Sequence, residues 1–195
     1  MQKPQELVTT LTRWITIVTL AATPLFFLPL TQDFYDTNKW LLLVVGALLV
    51  LLATGVNAAV SGTLTISLSP LAVGLGSLLV ATLITTFAAS PNRWEALTSP
   101  FGAATWTALF LLVLLGSHAI AGKAKHLLSW LLQAIAGVAA VVAILQFFGV
   151  SGLAGLTGVA GLAFLTDPLW TPLGSSVALV ALLLMVLPIT IAPLL

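Results

Sequence analysis

Two short polar stretches hold the residue types that could do chemistry in an otherwise apolar chain. One reads Thr-Gln-Asp-Phe-Tyr-Asp-Thr-Asn-Lys-Trp (31–40), the other Ser-Pro-Asn-Arg-Trp-Glu-Ala-Leu (90–97). Each sets a cation, Lys39 or Arg93, directly before a tryptophan. A guanidinium offers phosphate oxygens a planar fork of donors, and an ammonium offers a compact charge. Arg93 and Lys39 are therefore the candidate ligands of an anionic lipid head group or a pyrophosphate. A cation beside a tryptophan also serves as a plain anchor at head-group level, and for both residues that alternative stands. Glu95 is placed to pair with Arg93, an exposed contact that would stabilise little.

Other chemistries lack their residues. There is no glycine-rich phosphate loop of the P-loop type, no metal-spaced cluster of His, Asp and Glu, and no Ser-His-Asp set. No metal and no cofactor is expected. The absence of cysteine excludes disulfides and thiolate catalysis. The only histidines, His118 and His126, fall near the ends of apolar runs and read as interfacial residues rather than bases. With a net charge of +1 and no basic run, the chain has nothing to track a nucleic-acid backbone.

The elements that must carry these loops follow from composition. The chain is 60% hydrophobic and 6% charged, with a mean hydropathy of +1.20. A soluble domain carries about a quarter charged residues; this chain could not cover its surface in water, and lipid solves that problem. A crossing helix needs about 20 apolar residues. Six stretches meet or approach that length: 7–29, 39–60, 71–90, 102–121, 127–148 and 175–195. The fold expected is all-α, a polytopic transmembrane bundle of about six spans over 1–195 as one domain. Turn formers mark the separators, among them Ser69-Pro70, Ser90-Pro91-Asn92 and Asp167-Pro168.

Lys3, Arg13, Lys123 and Lys125 fall on one side of such a bundle, and Lys39 and Arg93 on the other. The side richer in cations is the cytoplasmic one, so both termini are expected there and the two polar stretches on the outer face. All six tryptophans lie in loops or near proposed span ends, where amphipathic rings settle. The first apolar run is too long for a signal-peptide core, which predicts an uncleaved span. Pro24 and Pro188 are expected to kink the first and last spans. No span carries an ionisable residue at its centre, which argues against a proton- or ion-coupled transporter. Gly149, Gly152, Gly155, Gly158 and Gly161 recur every third residue, fitting either a closely packed re-entrant stretch or a flexible loop. Ala136, Gly137, Ala139, Ala140 and Ala143 are small enough to let helices approach closely.

Wording goes further than composition. The string Phe-Phe-Leu-Pro-Leu-Thr-Gln-Asp-Phe-Tyr-Asp-Thr-Asn-Lys-Trp-Leu-Leu-Leu (26–43), the 90–97 loop with Pro100-Phe101-Gly102, and Ile-Leu-Gln-Phe-Phe-Gly (144–149) together resemble the amino-terminal half of the O-antigen ligase and polymerase family. Thr-Pro-Leu-Gly-Ser-Ser-Val-Ala-Leu (171–179) looks like that family's turn before a span, without its usual Asn. The resemblance implies a bacterial inner-membrane glycosyltransferase that transfers or polymerises oligosaccharide from a polyprenyl-pyrophosphate carrier on the outer face. The partners implied are that lipid-linked glycan and a glycan or lipid acceptor. Such chemistry needs cations at the leaving pyrophosphate and a base at the acceptor hydroxyl. Arg93 and Lys39 suit the first role, and Asp33, Asp36, Glu95 or Asp167 could take the second. The family's own Arg and His groups lie largely in a later external loop, so a fragment without the catalytic residues is expected here. The alternatives are a permease- or flippase-like subunit, which would show inverted repeats, and a non-catalytic membrane scaffold.

Overall fold

The computed structural model describes residues 2–26, 36–64, 66, 68–120, 122–148, 171 and 173–191. Among these, every regular element is helical. The α-helices are α1 (Gln2–Ala22), α2 (Asp36–Ser61), α3 (Pro70–Ala88), α4 (Arg93–Thr98), α5 (Ala103–Ala119), α6 (Lys123–Phe147) and α7 (Ser176–Ile191), with a 3₁₀ turn, Thr23–Leu25, after α1. Four stretches are long and apolar enough to cross a membrane: Asp36–Ser61, Pro70–Ala88, Arg93–Ala119 and Ala124–Phe147. They coincide with the second to fifth spans expected from sequence. Asp33, Asp167, Trp170 and the Gly149–Gly161 repeat lie outside the described residues.

The first span differs from expectation. The first starts earlier, at Gln2, and its α-helical turns stop at Ala22 rather than reaching 29. Pro24 does not kink a continuing helix; it sits in the first turn of the 3₁₀ segment, where its missing N–H costs nothing. Glu6, Arg13 and five threonines make α1 more polar than the four long apolar stretches. α7 is described over 16 residues and continues through Pro188 to Ile191; residues 192–195 of the expected last span lie outside the described residues.

The exposed face of α1 is its apolar one. Leu7, Leu11, Trp14 and Val18 point outward, while Thr12, Thr16 and Thr19 are buried. In water this arrangement would be inverted; against hydrocarbon it is the favourable one. Two of the buried hydroxyls are satisfied within the helix, Thr12 donating to the Val8 carbonyl at 2.9 Å and Thr16 to the Thr12 carbonyl at 2.8 Å.

By internal contacts the chain divides into two compact units, Met1–Leu20 with Trp40–Lys125, and Ala21–Lys39 with His126–Leu195. The core of the first unit sets Leu43, Ala47 and Val50 of α2 with Ala108, Leu112 and Leu115 of α5. Both triplets follow the spacing i, i+4, i+7 of a single helix face. α1 enters this core through glycine notches. A methyl group on Gly46 would run into Thr19, and one on Gly116 would fall 2.6 Å from Thr16 Cγ2. α3 packs along α5 and buries little but Ala72 and Thr86.

In the second unit, Ala139 of α6 packs with Leu173 and Leu179, joined by Leu25, Ala143 and Leu182. Of the small residues singled out in this helix, Ala136 and Ala139 are buried, whereas a methyl group on Gly137 would meet nothing. Ser175 caps α7, its hydroxyl accepting from the Ala178 amide at 3.1 Å. Gln133 reaches the Ile189 carbonyl at 3.5 Å, one of the last-turn carbonyls that α7 leaves open. Gln146, within the 144–149 string, is buried with no protein partner for either amide atom.

Candidate functional site

The 90–97 stretch is not a plain loop. Asn92 caps a six-residue helix, α4, by accepting from the Glu95 amide at 3.3 Å. Its own amide group donates to Glu95 Oε2 at 3.0 Å. The expected Arg93–Glu95 pair is therefore absent: Asn92 takes the carboxylate, three residues on, where the cap holds both groups together. Arg93 lies exposed on the first turn of α4, with no ion pair or hydrogen bond among the described residues.

From α4 the chain turns sharply into α5. The Gly102 amide donates to the Ser99 carbonyl at 2.8 Å, and a Cβ at Gly102 would collide with the carbonyl oxygens of Ala96 and Leu97. Only glycine fits so close a backbone approach, which explains the Pro-Phe-Gly that follows the Arg93 stretch. This corner and the end of α3 enclose an open cleft of about 350 Å³.

Hydroxyls dominate its polar lining: Thr82, Thr85 and Thr86 of α3, Ser90, and Ser99. Thr82 and Thr85 donate to the Leu79 and Thr82 carbonyls, and Ser90 to the Asn92 carbonyl, so their oxygens remain acceptors. Thr86 differs. It is only 4% exposed, lines the cleft, and makes none of the backbone bonds that its neighbours make. Gly102 and Ala103, the start of α5, form another wall. The Ala103 and Ala104 amides belong to the first turn, whose N–H groups have no partner inside a helix, and the Gly102 cap supplies no side chain for them. The Thr86 hydroxyl and the Ala103 amide line the cleft, and the exposed guanidinium of Arg93 lies on the adjoining turn, outside the lining; these are donor types that suit an oxyanion. Glu95, turned to Asn92, is the acid on this corner.

Lys39, the other cation singled out, belongs to the second unit, where its ammonium donates to the Leu173 carbonyl ahead of α7. Arg93 belongs to the first. His118 is exposed at the end of α5 and His126 at the start of α6. Among the described residues no three His, Asp or Glu side chains gather as a metal site would require. Inspection of the sequence missed Thr82, Thr85, Thr86 and Ser99 as site residues, because they read as ordinary residues of a span and its turn. The signal was there in Ile-Thr-Thr-Phe-Ala-Ala-Ser (84–90), a cluster of hydroxyls at the end of a span that leads into the cationic turn. No protein-family model, curated protein or solved structure matches the chain.

Proposed function

We propose that the cleft at the head of α5 binds the pyrophosphate of a polyprenyl-linked glycan. On this reading the chain is the carrier-binding membrane part of a glycan ligase or polymerase working on the outer face of a bacterial inner membrane. The observation that carries the proposal is Thr86, a buried residue that lines the cleft beside a helix N-terminus and whose hydroxyl makes no hydrogen bond among the described residues. A hydroxyl that lines a cleft and spends no bond on the backbone is free to donate to a ligand, and a phosphoryl oxygen is an acceptor that suits it. Neutral hydroxyl and amide donors, with Arg93 as the neighbouring charge, suit a leaving group whose negative charge grows as the glycosidic bond to phosphate breaks. The four long apolar stretches match a substrate that itself resides in the bilayer. The resemblance of the 26–43, 90–102 and 144–149 strings to the ligase and polymerase family points the same way.

The test is binding of a short-chain polyprenyl pyrophosphate to the purified full chain, against the matching polyprenyl alcohol. The pyrophosphate is expected to bind at least about tenfold more tightly. Thr86→Val and Arg93→Ala are each expected to weaken it by about tenfold, the scale of one hydrogen bond to a charged group. Equal affinity for pyrophosphate and alcohol, or unchanged binding in both variants, would remove the cleft from carrier recognition and favour a scaffold.

A further inference from the structure

The first unit has a second polar cleft at the far end of α5. It lies about 24 Å along the helix from the first, since 16 residues separate Ala103 from Ala119 and each rises 1.5 Å. Its volume is about 220 Å³, and its polar wall is built by Thr9 and Thr12 of α1, Thr54 and Asn57 of α2, and His118 of α5. Asn57 Oδ1 is occluded there and has no hydrogen-bond partner. Thr12 and Thr54 donate to the Val8 and Val50 carbonyls, leaving their oxygens free to accept. The cleft thus asks for a ligand that donates hydrogen bonds.

It also asks for negative charge. None of its lining residues is acidic. Arg13 stands beside it, Nε donating at 2.9 Å to the carbonyl of Ala119, itself a lining residue. The other guanidinium donors make no hydrogen bond among the described residues. Lys125 lies exposed just beyond the end of α5, while Glu6, one turn of α1 outward from Thr9, is the acid at this end and is exposed. The setting is that of a lipid: Leu7, Leu11 and Trp14 present an outward apolar strip on the same turns of α1.

We infer that this cleft is a binding site for the head group of an anionic glycerophospholipid carrying free hydroxyls, of the phosphatidylglycerol type. The phosphodiester meets Arg13 and His118, the glycerol hydroxyls donate to Asn57 Oδ1 and the threonine oxygens, and the acyl chains run along the Leu7–Leu11–Trp14 strip. Basic pockets between membrane helices hold anionic head groups on these terms. The inference does not depend on carrier binding at the other cleft.

The experiment is thermal unfolding of the full chain in phosphatidylcholine nanodiscs doped with phosphatidylglycerol or phosphatidylethanolamine, with native mass spectrometry of retained lipid. Phosphatidylglycerol is expected to raise the unfolding midpoint and to be retained about tenfold over phosphatidylethanolamine. Asn57→Leu and Arg13→Lys should each erase that preference; the lysine keeps the charge but not the fork and so guards against simple misfolding. Lys125→Gln should leave the preference in place. Equal retention of the two lipids, or a preference that survives both Asn57→Leu and Arg13→Lys, overturns the site. Stabilisation by free glycerol phosphate in undoped nanodiscs equal to that by the lipid overturns its assignment to a lipid and marks it as a site for a soluble anion.

Discussion

Gly46 and Gly116 sit inside helices, where alanine ordinarily adds about 0.5–1 kcal/mol of stability over glycine. Here the sign should reverse. A methyl group at either position meets a threonine of α1 at less than van der Waals distance, and threonine, branched at Cβ, has little rotamer freedom with which to withdraw. Gly46→Ala and Gly116→Ala are each expected to destabilise the protein by about 1–3 kcal/mol. Gly137→Ala, facing open space, should raise stability by about 0.5–1 kcal/mol. Reversible unfolding in mixed micelles followed by circular dichroism measures all three, and three equal shifts would contradict the notches. Arg93 was legible in sequence as a cation beside a tryptophan, but the engagement of Glu95 by Asn92 instead was not. The Asn92–Glu95 contact depends on a capped turn that hydropathy does not register, and Thr86 owes its interest to a bond that it fails to make.

At the scale of elements, hydropathy located α2, α3, α5 and α6 because burial hardly matters to a helix surrounded by lipid: apolar composition alone specifies it. The same averaging misjudged α1 and overlooked α4. α4 has six residues, too few to register in a window of about 20. α1 is decided by faces, not by mean composition, and the spacing of Thr9, Thr12, Thr16 and Thr19 already describes one face of a helix. Spin labels test that orientation, since the chain contains no cysteine to remove. Labels at Leu11→Cys and Val18→Cys are expected to collide with oxygen, which partitions into lipid, far more than with a water-soluble nickel chelate. The opposite ratio would put this face of α1 in water.

At the scale of the whole molecule, topology is the property that connects the two clefts to the two sides of a membrane. The stretch Arg93–Ala119 is long enough to cross, so residues before and after it should be reached from opposite sides. A cysteine at Pro91 is expected to react with an impermeant maleimide in spheroplasts, and one at Lys125 only after permeabilisation. Labelling of both from one side would refute the crossing and, with it, the proposed outer position of the Arg93 corner. The cation distribution supplied this expectation, although it could not supply the division of the chain into two units, which arises from packing between helices distant in sequence.

The Arg13 contact bears on how such a protein is made. Synthesis delivers α1 before α5, and Thr12 and Thr16 arrive already satisfied by their own helix, so their entry into lipid is cheaper than that of unpaired hydroxyls. Arg13 is different: its acceptor, the Ala119 carbonyl, lies 106 residues downstream. Until α5 has emerged from the ribosome and docked, the guanidinium lacks that acceptor. α1 is thus completed only once α5 has been made. A chain stalled before α5 would carry that guanidinium without its carbonyl acceptor, a difference that separates an unfinished chain from a finished one.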